Sequence, residues 1–306
     1  MSIHLVGSGP QADGLDPVWD SFVSQARSRA GDQNRPIVVC LQVLPEDEDE
    51  TAQDFLPAYA EPILARWPEA TFEVVELRPS ESFLANPSFE DGTTAAPAGA
   101  QPEENQPDET QTTDTQTTDT QPEVDQPIEA TPQPVFPDLN SAAAIIVGGG
   151  WTPGYLHNLA PHRDAIGRAV RRGLPYLGFS AGASIASRHA LIGGWYADGI
   201  QVQQDYAAED LHDLTVVDGL ALLSTLVQVH TDAWSNEGIV ISALERNLSG
   251  HGVSIDEGTA LVVEPSSGHT HRLGRGRLRW FSKEAHGVLV RTEDPPASEQ
   301  HLHSAQ

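Results

Sequence analysis

The 306-residue chain is poor in cysteine and lacks long apolar runs. Its one cysteine, Cys40, excludes an intramolecular disulfide, and its place in the apolar run PIVVCLQVL predicts a buried strand residue, not a reactive thiol. No stretch of about 18 apolar residues occurs, and MSIHLVGSGP has no basic region followed by a long apolar one. We therefore expect a cytoplasmic protein without a membrane partner.

Basic residues are also scarce. The 17 Lys and Arg against 44 Asp and Glu give a net charge of -27, which repels phosphate backbones and anionic lipid surfaces. The one basic concentration, residues 271–280 (HRLGRGRLRW), predicts the solvated face of a hairpin, so no nucleic-acid partner is expected. The hydrophobic content of 39% is enough for a core and excludes a wholly disordered chain.

Composition divides the chain into one domain and an insertion. Residues 86–137 contain no Lys or Arg, are dominated by Pro, Thr, Gln, Asp and Glu, and include TQTTDTQTTDTQ. Such a segment buries too little apolar surface to offset its ordering entropy, which predicts a disordered insertion. Residues 1–85 and 138–292 are predicted to form a single α/β domain, and residues 293–306 a flexible tail.

The domain alternates apolar strand patterns with helical spacing. Apolar runs at residues 3–6, 36–44, 142–147 and 174–179 are separated by helical segments, which is typical of a parallel sheet covered on both faces. We predict a doubly wound, mostly parallel sheet. Shorter strands with glycine turns after about residue 193 predict a small antiparallel extension of the same sheet toward the C-terminus.

Two glycine turns at strand ends indicate a catalytic site. GFSAG places Ser180 between a strand and a helix, as in a nucleophile elbow, although this short motif also occurs in plain turns. GGGWTP follows another predicted parallel strand, so the N–H groups of Ala181 and of Gly149 or Gly150 could hold an oxyanion. The alternative, a phosphate loop, lacks both the following Lys-Ser/Thr and the GxGxxG pattern.

A serine nucleophile needs a general base and an acid that orients it. Among 12 histidines, His230 follows an apolar strand, whereas His189 is placed on the surface of the helix after the elbow. His269 and His271 share one strand face, but no third metal ligand is in view, so no metal is predicted. The acid is left open between two neighbours, Asp256 and Glu257, in GVSIDEGTALVV.

Four segments together, GGG, YLGFSAGASIA, GLALLSTLVQVHTDAW and GVSIDEGTALVVE, resemble the serine-peptidase family of cyanophycinase and aspartyl dipeptidase (peptidase E). The resemblance covers most of the chain outside the insertion, in order and spacing. It implies a class I glutamine amidotransferase-like α/β fold, with Ser where the amidotransferases have Cys, and it makes a homodimer plausible. No metal or organic cofactor is required by this chemistry.

The resemblance also implies roles for residues. Ser180 is then the nucleophile, His230 the general base, and Glu257 the orienting acid, with Gly150 and Ala181 as the oxyanion hole. Dipeptidase members take the acid from closer behind the serine, where this chain has Asp198, so Asp198 and Asp256 remain alternatives to Glu257.

The recognition surface departs from the family. Substrate contacts are expected at Gly149, Trp151 and Thr231, but Trp151 stands where the family has Asn or Gln. Cyanophycinases have Asp-Gln-His-Phe around the histidine and arginines shortly after, where this chain has QVHT and then SNEG. Because the cationic groups that would grip an aspartyl carboxylate are missing, aspartyl specificity is not expected here.

The sequence thus predicts a serine hydrolase, most simply a peptidase, that forms an acyl-enzyme with a small peptide or amide. An α/β-hydrolase esterase is one alternative, and it would place Asp256 beside His269 or His286. A non-catalytic ligand-binding member of the same fold is the other. It gains support if no acid reaches His230 or if Trp151 fills the pocket.

Overall fold

A computed structural model describes residues 2–44, 50–85, 87 and 136–296 of the chain. Nearly all of the predicted insertion at residues 86–137 and most of the predicted tail at residues 293–306 lie outside the described residues. The boundaries proposed for the domain therefore stay predictions. Among the residues that are described, no helix combines the length and apolar character needed to cross a membrane.

Helices and strands alternate through the first two thirds of the described chain. The helices are α1 (Asp16–Ala30), α2 (Ala52–Arg66), α3 (Glu81–Ala85), α4 (Thr152–Leu159), α5 (Arg163–Arg171), α6 (Ala181–Ser184), α7 (Thr231–Trp234) and α8 (Glu237–Glu245). The first ten strands are β1 (Ile3–Val6), β2 (Ile37–Val43), β3 (Thr71–Leu77), β4 (Ala144–Val147), β5 (Tyr176–Phe179), β6 (His189–Gly193), β7 (Tyr196–Ala197), β8 (Ile200–Gln201), β9 (Thr215–Asp218) and β10 (Leu226–Gln228). The last five are β11 (His251–Ile255), β12 (Thr259–Val263), β13 (Thr270–Gly274), β14 (Leu278–Glu284) and β15 (Gly287–Glu293).

The main sheet has seven strands in the order β13-β12-β1-β5-β4-β2-β3. The five strands from β1 to β3 in that order are parallel, and β12 and β13 continue the sheet antiparallel beyond β1. This confirms the predicted mostly parallel α/β fold. Parallel strands end together, so the loops after β1, β4 and β5 meet at one edge of the sheet.

Both faces of the sheet are buried, as the unbroken apolar runs indicated. On one face Val38 and Cys40 pack with Phe22 of α1 and Ile63 of α2. The opposite face packs against α4 and α5. Alternate residues of one strand thus enter different cores, and Cys40 is buried so completely that the pKa of its thiol rises to about 12.

The C-terminal strands correct one part of the prediction. Only β12 and β13 extend the main sheet, whereas β14 and β15 join a separate four-stranded sheet in the order β10-β11-β14-β15. The basic run at residues 271–280 therefore connects two sheets and is not one solvated hairpin face. Arg279 is largely buried and forms ion pairs with Asp256 and Glu237.

Candidate active site

The turn after β5 holds Ser180 in a backbone conformation that side chains rarely adopt. Its φ is 48° and its ψ is -111°, a strain of about 1–3 kcal/mol for a non-glycine residue. The flanking glycines permit the turn, because a Cβ on Gly178 would collide with the Gly182 carbonyl, and one on Gly182 with the Val147 carbonyl. The strand, turn and short helix α6 thus form the predicted elbow with Ser180 at the bend.

His230 lies beside Ser180. It follows β10, and its N–H donates to the Gly7 carbonyl at 2.8 Å, which ties this residue to the end of β1. Its Nε2 is 2.8 Å from Ser180 Oγ. The ring of Trp234 stacks on the imidazole with centroids 4.3 Å apart. Position and ring orientation of His230 are therefore both constrained.

Glu257 completes a line of three side chains. Its Oε1 is 3.0 Å from His230 Nδ1, and its backbone N–H donates to Asp232 Oδ1 at 2.8 Å. For the Ser180 hydroxyl to donate to Nε2, the ring proton must be on Nδ1, where Glu257 accepts it. The arrangement is suited to holding the neutral imidazole in the tautomer that accepts a proton from serine.

The glycine turn after β4 approaches the same serine. The Gly149 carbonyl accepts hydrogen bonds from Gln42 Nε2 at 3.2 Å and from the Tyr155 hydroxyl at 3.0 Å. In a trans peptide the N–H points opposite to the carbonyl, so these donors turn the Gly150 N–H away from the core and toward the cleft that Gly150 lines. A Cβ on Gly149 would come within 3.0 Å of the Ser180 Cβ, which shows how closely the turn passes.

The second backbone donor comes from the elbow. Ala181 is the first residue of α6, and the next residue, Gly182, donates to the Gly148 carbonyl at 3.1 Å, which joins the two turns. Within the described residues, neither the Ala181 N–H nor the Gly150 N–H has a hydrogen-bond acceptor. A tetrahedral oxyanion needs two donors of this kind, and both N–H groups belong to the two turns that meet at Ser180.

The Ser180–His230 pair opens onto a cleft of about 460 Å³, within the usual range for small-ligand sites. The cleft is lined by Gly150, Trp151, Ser180, Asp205, Tyr206, Glu209, Asp210, His230 and Trp234. Three carboxylates and three aromatic rings thus form its wall, with no lysine or arginine among the lining residues.

Glu209 connects this wall to the glycine turn. Its Oε2 accepts the Thr152 N–H at 2.9 Å, and its backbone carbonyl accepts the Trp151 indole N–H at 3.0 Å. Burial raises the pKa of the Glu209 carboxyl to about 7, with a further increase from the Asp210 charge, while the hydrogen bonds from Thr152 oppose the rise. These two hydrogen bonds fix Trp151 and Thr152, which follow Gly150 directly and begin α4.

The alternative acids lie elsewhere. Asp198 is in the turn between β7 and β8 and pairs with Arg246 at 2.8 Å. Asp256 is buried, pairs with Arg279, and accepts the Arg277 N–H at 3.0 Å. Both residues lie in the turn between β11 and β12, and the contacts of Asp256 with Arg279 and the Arg277 N–H direct its carboxylate away from His230. The structure places Glu257 beside that histidine.

Of the three predicted substrate contacts, Trp151 lies in the cleft wall and leaves the cleft open. Gly149 sits behind Gly150, with its carbonyl engaged by Gln42 and Tyr155. Thr231 is only 1% exposed and does not line the cleft, a correction to its predicted role. The backbone enters α7 at this residue, which turns the side chain inward.

The structure also places three other histidines that the sequence analysis considered. His189 belongs to β6, not to a helix, because α6 ends at Ser184, and it lies 3.8 Å from Asp218. His269 and His271 are neighbours at the hairpin between β12 and β13, where Glu264 joins them with its ligand atom within 4.8 Å of theirs. Glu264 directly follows β12, so the turn of the hairpin brings this carboxylate beside the two histidines.

Some site residues escaped the sequence analysis. The acidic wall comes from the segment QDYAAED, which has no periodicity or motif that would single it out. Two further side chains support the glycine turn after β4: Tyr155, from six residues further along the chain, and Gln42, from a position distant in sequence. A signal did exist for Gln42, since one polar residue interrupts the otherwise apolar strand β2 and is buried there.

Comparisons with known proteins identify a matching family. The sequence model of peptidase family S51 matches residues 115–271, just over half of the chain. No curated protein sequence gives a significant match.

Two of the solved structures that match are from bacteria. A peptidase from an acI-B1 Actinobacterium is 14% identical with a TM-score of 0.55, over 96% of this chain and 94% of that one. A candidate peptidase E from Listeria monocytogenes EGD-e is 15% identical with a TM-score of 0.47, over 89% of this chain and 98% of that one. At such identities the likeness to the first concerns the fold.

Proposed function

The chain belongs to peptidase family S51, a family of serine-type peptidases, and on that premise we propose that it cleaves small peptides or amides through an acyl-enzyme on Ser180. The observation that carries the proposal is the hydrogen-bonded line from Ser180 Oγ through His230 to Glu257, with distances of 2.8 and 3.0 Å. A nucleophile, a base and an acid in contact are the parts that activate a serine hydroxyl.

The proposed first step forms the acyl-enzyme. Ser180 Oγ attacks the substrate carbonyl carbon, and its proton passes to His230 Nε2, leaving an imidazolium that Glu257 stabilises. The N–H groups of Gly150 and Ala181 donate to the oxyanion of the tetrahedral intermediate. When the intermediate collapses, His230 returns the proton to the leaving amine as the amide C–N bond breaks.

The second step releases the acyl group. Water attacks the ester carbonyl, giving one proton to His230, and the same two N–H groups hold the second oxyanion. The C–O bond to Ser180 then breaks and Oγ recovers the proton from His230. Apart from the substrate and one water molecule, every group in these steps belongs to the chain.

Both alternative functions receive less support from the contacts. The esterase would need Asp256 to orient a histidine, but Asp256 is engaged by Arg279. The non-catalytic binder would be favoured by a His230 without an acid or by a cleft filled by Trp151, and neither is found. The expected homodimer and cytoplasmic location stay predictions.

The test is labelling with a fluorophosphonate probe, which reports an activated serine without requiring the substrate. We expect the wild-type chain to be labelled and the Ser180→Ala and His230→Ala variants to remain unlabelled. Ser267→Ala and His189→Ala are matched controls outside the site and should label like the wild type. A folded wild-type protein that resists the probe would overturn the proposal.

A further inference from the structure

The wall of the cleft facing Ser180 comes largely from one short segment, residues 205–210. Asp205, Tyr206, Glu209 and Asp210 all line the cleft, and Asp205, Tyr206 and Asp210 are exposed. This wall belongs to the site built by Ser180 and His230, so the acidic residues do not define the site. They determine what it attracts.

The carboxylates of the wall have no cationic partner. Among the described residues, none of Asp205, Glu209 and Asp210 forms an ion pair with a lysine or arginine, although Glu209 accepts the Thr152 N–H. Other carboxylates near the site differ, since Asp256 pairs with Arg279 and Asp198 with Arg246. Uncompensated negative charge in a concave site focuses a field that concentrates cations.

Aromatic rings form the rest of the wall, independently of the charges. Trp151, Tyr206 and Trp234 line the cleft beside the carboxylates. The indole N–H of Trp151 is already bound to the Glu209 carbonyl, and Trp234 is stacked on His230, so both rings are held in place. The face of an aromatic ring carries partial negative charge and attracts ammonium and guanidinium groups.

We propose that this wall binds a cationic group of the substrate next to the scissile amide, so that the substrate class is peptides with Arg, Lys or a free α-ammonium at that point. The inference rests on the proposed function and extends it to specificity. The exposed carboxylates of Asp205 and Asp210 line this cleft, and no lysine or arginine is among its lining residues, so an acidic side chain should be rejected by like-charge repulsion.

Two dipeptide series test the inference. Arg-Gly, citrulline-Gly and Asp-Gly form one series, Gly-Arg, Gly-citrulline and Gly-Asp the other, and each dipeptide is assayed with free and acetylated N-termini. Citrulline keeps the shape of arginine without its charge. We expect kcat/KM for arginine to exceed that for citrulline by about 10- to 100-fold in at least one series, as for a hydrogen bond to a charged group.

The acetylated substrates identify the source of the charge. If arginine and citrulline react equally but acetylation removes the activity, the α-ammonium is the bound cation and the inference stands. Equal rates for arginine and citrulline that acetylation does not change would overturn it, as would a preference for aspartate in both series.

Variants of the acidic wall test whether its carboxylates cause the preference for a cationic substrate. Asp205→Asn and Asp210→Asn should each reduce the preference for the cationic dipeptide several-fold, mainly through KM, and together abolish most of it. Asp32→Asn is the matched control, because it removes the same charge from an exposed residue between α1 and β2, at the opposite edge of the sheet. A preference that survives the double substitution would contradict the assignment.

Failure of the inference can be told from failure of the proposed function. Fluorophosphonate labelling tests only Ser180, whereas calorimetric binding of Arg-Gly, Gly-Arg and their citrulline analogues to Ser180→Ala tests only the wall. Labelling without selective binding overturns the inference and leaves the function. Selective binding without labelling supports the inference and removes the function.

Discussion

Two serine–histidine contacts lie near strand β1, and they differ in almost everything except distance. Ser180 Oγ is 2.8 Å from His230 Nε2 beyond the carboxyl end of the strand, and Ser21 Oγ is 3.0 Å from Nε2 of His4, which is part of the strand. His4 is fully buried against α1, with the ring of Phe22 edge-on at 5.8 Å. The His230 pair opens onto a cleft.

The difference shows what a catalytic pair needs besides the contact. Burial lowers the pKa of His4 to about 4, so this ring resists protonation, whereas a general base must accept a proton. No described carboxylate is hydrogen-bonded to His4, and Ser21 sits inside a regular helix. Glu257, the strained turn at Ser180 and two free backbone N–H groups distinguish the other pair.

The largest expected effect comes from removing the two serines in turn. Ser180→Ala should abolish probe labelling and reduce peptidase turnover by roughly 10⁴-fold or more, because the nucleophile is lost. Ser21→Ala should leave both unchanged. Labelling followed by mass spectrometry of the modified peptide distinguishes the pairs, and modification of Ser21 would contradict the comparison.

A second comparison uses two adjacent carboxylates. Glu257→Gln should slow turnover by about 10²- to 10⁴-fold without loss of structure, since His230 loses the acceptor that holds its tautomer. Asp256→Asn should instead lower the free energy of unfolding by about 1–3 kcal/mol, because Arg279 and the Arg277 N–H lose a charged acceptor.

Steady-state kinetics and urea denaturation on both variants measure these effects. A kinetic loss in Asp256→Asn as large as that in Glu257→Gln would show that the acid has been assigned to the wrong residue.

Burial of His4 should make the free energy of unfolding depend on pH. With a folded-state pKa of about 4 below an unfolded value of 6.5, the unfolded chain binds a proton between these values and the folded chain does not. The contribution of His4 is therefore complete above pH 6.5 and falls by roughly 2–4 kcal/mol as the pH drops to 4.

Urea denaturation of the wild type and His4→Gln at pH 7 and pH 4 should show the stability difference between them shrinking by that amount. His286→Gln, at an exposed histidine in the turn between β14 and β15, is the control and should keep the wild-type pH dependence. A pH-independent difference for His4→Gln would refute the assignment.

The smallest effect concerns the backbone donors that the buried pair lacks. Tyr155→Phe removes one of the two hydrogen bonds on the Gly149 carbonyl and should lower kcat about tenfold, with KM little changed, by loosening the Gly150 N–H. Tyr206→Phe, at an exposed wall residue, is the contrast, because any effect there should appear in KM. A change in KM alone for Tyr155→Phe would count against the oxyanion role.

The central elements were predictable because one physical pattern identifies them. Strands buried on both faces are mostly apolar, so β1, β2, β4 and β5 stand out as runs between helical segments, although β1 contains His4 and β2 contains Gln42. The C-terminal strands are short and separated by turns, and nothing local determines which sheet each joins. That is why β14 and β15 were assigned to the wrong sheet.

For the site, the sequence predicted only those features that depend on residues close together in the chain. GFSAG indicated the elbow because glycines are needed where backbones approach closely, and Gly178 and Gly182 serve that purpose. The choice between Asp256 and Glu257 was open because it depends on which way β11 ends. The acidic wall depends on contacts between segments distant in the chain, since residues 205–210 meet Gly150, Ser180 and His230 only in the folded structure.

By itself, then, the sequence determined the parallel α/β core and the glycine turns, since both follow from burial and from steric limits within a few residues. It also carried the resemblance from which the Ser180, His230 and Glu257 roles were expected. Only the tertiary structure decided which carboxylate meets the histidine, how the C-terminal strands divide, and which charges surround the cleft. These depend on long-range packing, where the free energy of burying whole segments outweighs any local preference.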